Sequence, residues 1–154
     1  MSQRTRLMEE RARALATVLL TSRDDLQITD LSDEDMGIAY LVTIHFDRPG
    51  LRQFGVVLRT RLSPVTADEA NKVLKTSLAK TARYGPFPYP VCLFFFTMME
   101  SQSWYAWLMK PVHGPDGSLN LAMQQEISSQ PLDLAALDGI VALVHEWYDV
   151  TFAS

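Results

Sequence analysis

The sequence predicts an α/β fold: one mixed sheet flanked by helices. Three observations carry this. Segments of helical spacing near the start, middle and end alternate with strand-like runs, in the order helix, strands, helix, strands, helix. The stretch from Asp35 to Arg61 reads as two long strands joined by a tight turn. Val91 to Thr97 is a continuous apolar run, the pattern of a strand covered on both faces.

The first helix spans about Ser2 to Leu20, with Leu7, Ala14, Leu15, Val18 and Leu19 recurring at helical spacing. Arg4, Arg6, Glu9, Arg11 and Arg13 form its polar face. Leu26 to Thr29 is a short strand, and an acidic turn follows it. The first strand of the hairpin runs from Gly37 to Phe46. Asp47-Arg48-Pro49-Gly50 reverses the chain, and the second strand runs from Arg52 to Leu62. Side chains alternate along a strand. Ile38, Tyr40, Val42, Ile44 and Phe46 therefore share one face, with Phe54, Val56, Leu58 and Leu62 on the matching face of the partner. Ala39 falls on the other, non-core face, and Val57, Arg59 and Arg61 lie together on theirs.

Thr66 and Glu69 have the spacing of a capping box, which opens a helix ending near Arg83 before Gly85-Pro86. Ala70, Val73, Leu74, Ser77, Leu78 and Thr81 form its buried stripe, while Lys72, Lys75 and Lys80 make it basic. Trp104 to Met109 is another strand, on which Trp104 and Trp107 point to opposite faces. His113 to Gly117 is a turn, and Leu119 to Met123 a short strand. The last helix starts between Leu132 and Ala135 and ends near Val150.

The length of 154 residues suits one domain over 1–154. A hydrophobic content of 47% excludes a disordered chain, and a net charge of −4 argues against a protein that coats nucleic acid indiscriminately. Cys92 is the single cysteine, so no internal disulfide forms, and its apolar setting reads as inert core. The charged N-terminus lacks a signal peptide's apolar core, and no apolar run is long enough to span a bilayer. A cytoplasmic location without membrane attachment is expected. Motifs for phosphate loops, zinc proteases, CxxC metal sites and nucleophile elbows are absent. His45, His113 and His145 are far apart in sequence, which disfavours a histidine zinc site.

Asp35-Met36-Gly37-Ile38-Ala39 is similar to the pattern D-x-G-x-D before a strand, and Phe54 to Thr60 to a strand ending Q-x-K. With the strand at Pro88 to Phe96 and Tyr105-Ala106-Trp107-Leu108, the chain over about Thr5 to Val112 resembles the bacterial family called domain of unknown function 4365. That family belongs to the PD-(D/E)XK, restriction-endonuclease-like superfamily. The resemblance implies a restriction-endonuclease-like core over the whole chain. It also implies a site where an acid on one strand and an acid or Gln on the next bind a divalent metal, beside a Lys. Here Ala39, Val57 and Arg59 replace those three. Asp35 remains, and Glu9 or Glu10 stands for an acid of the first helix, with Glu10 and Asp35 as the residual acids.

Ala39 and Val57 offer no ligand, and Arg59 cannot deprotonate. The expectation is a catalytically degenerate domain without metal or other cofactor. It would act as an interaction or scaffold subunit, in a homodimer or hetero-complex, in a prokaryotic defence or mobile-element system. Trp104 or Trp107, with Trp147 and Tyr148, are the expected apolar contacts. Arg59, Arg61, Lys72, Lys75 and Lys80 are candidates for nucleic-acid binding. Pairing of Arg59 with Asp35 or Glu10 is the competing role. The alternatives are an active metal-dependent nuclease with relocated ligands, such as Glu10 with Asp35 or Asp47, and a nucleic-acid-binding module without cleavage.

Overall fold

The structure, a computed structural model, describes residues 2–31, 37–47 and 50–153. Its elements in chain order are α1 (Gln3–Thr21), β1 (Leu26–Asp30), β2 (Tyr40–Ile44), β3 (Arg52–Arg61), α2 (Ala67–Ala82), β4 (Val91–Thr97), β5 (Ser103–His113), β6 (Leu119–Met123), β7 (Gln130–Pro131) and α3 (Leu134–Ala153). The fold is mixed α/β, as expected. The sheet runs β1-β2-β3-β4-β5-β6, with β7 on the free end of β5. Neighbours are antiparallel except β3 and β4, which are parallel because α2 carries the chain back across the sheet. No helix among the described residues is long and apolar enough to cross a membrane.

The helices cover opposite faces. α1 and α3 pack over Tyr40, Val42, Ile44, Phe54, Val56, Phe94 and Phe96, while α2 packs over Val57, Val91, Leu93, Phe95 and Leu108. The run Val91–Thr97 is buried throughout, as a strand between two helical layers must be. Trp104 and Trp107 lie on opposite faces, each half-buried against a different core. The capping box is formed: Glu69 N donates to the Thr66 hydroxyl at 3.2 Å, and Thr66 N to Glu69 Oε1 at 3.0 Å. Asp133 caps α3, accepting from Ala136 N at 2.8 Å.

Four expectations are corrected. The buried stripe of α1 is Ala12, Ala16 and Leu20, whereas Leu7 and Val18 are exposed, because small alanines let the helix approach the sheet closely. Regular strand pairing starts only at Tyr40, so the alternation does not extend back through Gly37. Ile38 joins the core under α2, and Ala39 is buried with Tyr40 under α1. Val57 is not on a free face: α2 covers it completely. Finally, Trp104, Trp107 and Trp147 are half-buried against the two cores and Tyr148 is buried, so they present less open surface than expected. The hairpin turn falls partly on Arg48 and Pro49, outside the described residues. Gly50 beside them has φ 113°, and the Phe152 ring would meet a Cβ there at 2.9 Å.

The C-terminal half of α3 is fastened to this hairpin by Arg52, which is 4% exposed. Its guanidinium donates to Asp149 Oδ1 at 2.7 Å, to His145 Nδ1 at 3.0 Å and to the His145 carbonyl at 3.1 Å, and lies 4.1 Å from the Phe46 ring centroid. An arginine only donates, so His145 Nδ1 accepts and the imidazole is neutral. Burial, then the Arg52 cation, hold the His145 pKa below its ordinary 6.5, against the pull of Asp149 and Asp25, with Arg23 adding to the depression. Unfolding below that value therefore takes up a proton that the folded protein refuses. The melting temperature is expected to be level above about pH 6.5 and to fall as the pH drops through the lower folded pKa. His145→Gln should flatten that segment of a melting-temperature series against pH; an unchanged slope would remove His145 as its cause.

Candidate functional site

The N-terminal half of α1 does not close against the end of β3. Ser2 caps the helix, its hydroxyl accepting from Thr5 N at 3.1 Å. Ala12 and Ala16 bring the next turns onto the sheet. β2 begins only at Tyr40, so Leu58 to Thr60 extend past it. The chain enters through Gly37 at φ 77°, a left-handed conformation suited to glycine. Ala39 N then donates to the Val56 carbonyl at 2.8 Å, while Leu31 N donates to the Ala39 carbonyl at 2.8 Å. A cavity of about 370 Å³ remains, walled by Thr5, Glu9, Ala12 and Arg13 on one side and by Gly37–Ala39 and Leu58–Thr60 on the other.

Two of the three positions singled out by the resemblance meet here. Ala39 and Arg59 line the same cavity, whereas Val57 is sealed under α2. Asp35 lies outside the described residues. Glu10 is exposed and does not line the cavity; Glu9 does, because it sits one turn before Ala12 on the stripe that faces the sheet. That spacing is present in the sequence, beside the larger apolar side chains of Leu7 and Val18, which are exposed. Asp47 follows the far end of β2 from Ala39, so the relocated set of Glu10 with Asp47 is not assembled.

Arg59 is half-buried. Its Nη1 donates to the Leu58 carbonyl at 2.8 Å, and no carboxylate among the described residues pairs with it. The expected pairing with Glu10 is not made. Burial holds its pKa below the ordinary arginine range, opposed by the charge of Glu9 acting at longer range. Arg13 reaches Asp30 at 3.4 Å and lies over the Tyr40 ring at 5.4 Å.

The described residues of this cavity do not by themselves fit a divalent cation. Such a site needs several hard oxygen ligands. The described wall offers one carboxylate, Glu9, a methyl group at Ala39 and two guanidinium groups. No cluster of three metal-ligating side chains occurs among the described residues. The histidines have separate partners: His45 meets Gln27 at 2.6 Å, His113 meets Glu146 at 3.2 Å, and His145 meets Arg52. Cys92 is fully buried, and burial pushes its thiol well above the ordinary range.

The basic candidates do not form one track. Lys72, Lys75 and Lys80 are exposed on α2, opposite its buried stripe of Ala70, Leu74, Ser77, Leu78 and Thr81. Arg61 and Lys72 share a shallow groove with Glu69, and Lys72 and Lys75 share another with Glu126. Arg59 belongs to the separate cavity by α1. No family model, curated protein or solved structure gives a match to this chain.

Proposed function

We propose that this chain is a catalytically silent, restriction-endonuclease-like domain that works by binding, as an interaction or scaffold subunit of a prokaryotic defence or mobile-element assembly. The observation that carries the reading is the meeting of Ala39 and Arg59 in one cavity. At those places the resemblance implies an acid and a lysine. A methyl group contributes nothing to a metal, and a permanently charged guanidinium repels one and cannot act as a base.

Binding rather than catalysis is supported by the surface beside α1. Leu7 is 54% exposed, Leu62 38% and Met99 53%. Leu7 and Leu62 line an open groove with Gln3, Arg4, Met8, Arg11 and Met98. Methionines adapt to a partner's shape. The charged lining residues are both arginines. Symmetric pairing of two copies would set like charges together, so the groove suits a different protein offering apolar and acidic side chains.

The test is a cleavage assay on plasmid, linear and single-stranded DNA and on RNA, with Mg²⁺ or Mn²⁺. No cleavage above buffer is expected. Metal-dependent cleavage that co-purifies with the protein and vanishes in Glu9→Ala or Asp35→Ala would overturn the reading.

A further inference from the structure

The geometry points to the cavity between α1 and β3 as a binding site for a small phosphate monoester, gripped by Arg59. This rests on the reading of that cavity as one that has lost its metal chemistry, and it names what the space accepts instead.

Arg59 is the reason. A guanidinium carries five N–H donors, and here one hydrogen bond is made, to the Leu58 carbonyl. The group is half-buried and its charge is permanent at neutral pH. A cation withdrawn from water with no counter-ion among the described residues is costly, and burial is the main pressure on this one. Glu9 is near enough to be felt and too far to pair. The remaining donors border a half-open space of about 370 Å³, within the range of small-ligand pockets and too small for a duplex. A tetrahedral oxyanion accepting from the planar fork offsets that withdrawal. Arg13, on the facing wall, brings a second guanidinium, which also reaches the exposed Asp30 at 3.4 Å; a pair of guanidinium groups favours a doubly charged phosphate over a carboxylate. Thr5 and Thr60 bring hydroxyl groups. Glu9 opposes a bare anion at the exposed rim but accepts from a hydroxyl. The site therefore selects a phosphate attached to a hydroxyl-bearing body, such as a sugar phosphate or mononucleotide, over inorganic phosphate.

The measurement is calorimetric titration of the full chain with adenosine 5′-monophosphate, inorganic phosphate, adenosine and acetate, at matched ionic strength in chloride buffer. The monoester is expected to bind with a Kd of about 1 mM or tighter, inorganic phosphate about tenfold more weakly, and adenosine and acetate not measurably. Arg59→Met should lose monoester binding while melting no lower than the parent, because it removes a desolvated charge. Arg59→Lys keeps the charge without the fork and should bind about tenfold more weakly; it serves if the Met variant fails to fold. Monoester binding absent in the parent chain, equal binding of acetate, or full binding by Arg59→Met would each overturn the inference. Cleavage activity is scored separately. A silent protein that binds no phosphate sinks this inference alone, and one that cleaves sinks the reading beneath it.

Discussion

Val57→Glu, which places an acid where the resemblance implies one, is expected to lower the melting temperature by 10 °C or more, about 4 kcal/mol, or to abolish soluble folding. Val57 has no solvent exposure. It pairs across β3 and β4 with Leu93 and packs in the cluster that includes Leu74, Val91, Phe95 and Leu108. Glutamate would bring a carboxyl group among hydrocarbon side chains with no cation and no donor prepared for it. It would be driven neutral, and it would still lack hydrogen bonds. The longer side chain also overfills a close-packed layer. Since a domain's whole stability is about 5–15 kcal/mol, this one change removes a large part of it. Ala39→Asp makes the contrast. Ala39 is buried but borders the cavity that Arg59 also lines, so that variant should lose less than Val57→Glu does. Thermal melting of the two variants decides. If Val57→Glu melts within a degree or two of the parent, α2 does not seal that face, and the position is open as a metal site requires.

Arg52→Ala is expected to cost about 3 kcal/mol, lowering the melting temperature by about 6–12 °C. The side chain makes three hydrogen bonds to α3 and lies against the Phe46 ring, with the Tyr148 and Phe152 rings at 6.0 and 5.8 Å from its guanidinium carbon. Truncation removes the second donor of the His145 carbonyl and the donor to His145 Nδ1, strips Asp149 of its partner and opens a space beside the rings. Asp149 is about half exposed, which limits its share of the loss. Arg52→Lys should recover only part of the stability, because one ammonium cannot span Asp149 and His145 while stacking on Phe46. A loss below about 1 kcal/mol in the alanine variant, by chemical denaturation, would show that α3 is held by its apolar contacts alone.

The amino-acid sequence by itself determined the element order and most boundaries. The Thr66–Glu69 cap, the unbroken apolar run of β4, the Asp133 neighbourhood at the start of α3 and the opposed tryptophans of β5 are local patterns. Each depends on neighbours two to four residues apart, and a chain carries that information without its fold. The short strand β7 was not legible, because Gln130–Pro131 is defined only by its pairing with β5. What only the tertiary structure decided is which surfaces are covered and which distant charges meet. α1 carries leucine, valine and alanine around much of its circumference, and close contact with β3 selected the alanine stripe, setting Glu9 at the rim of the cavity and turning Leu7 out. Val57 and Arg59 share one strand face by alternation, yet α2 covers Val57 and stops short of sealing Arg59. The burial of Arg52 follows from a helix that begins 82 residues further along the chain. Side-chain period is a property of the backbone, whereas burial is a property of whatever packs on top, and that is set by contacts far apart in sequence.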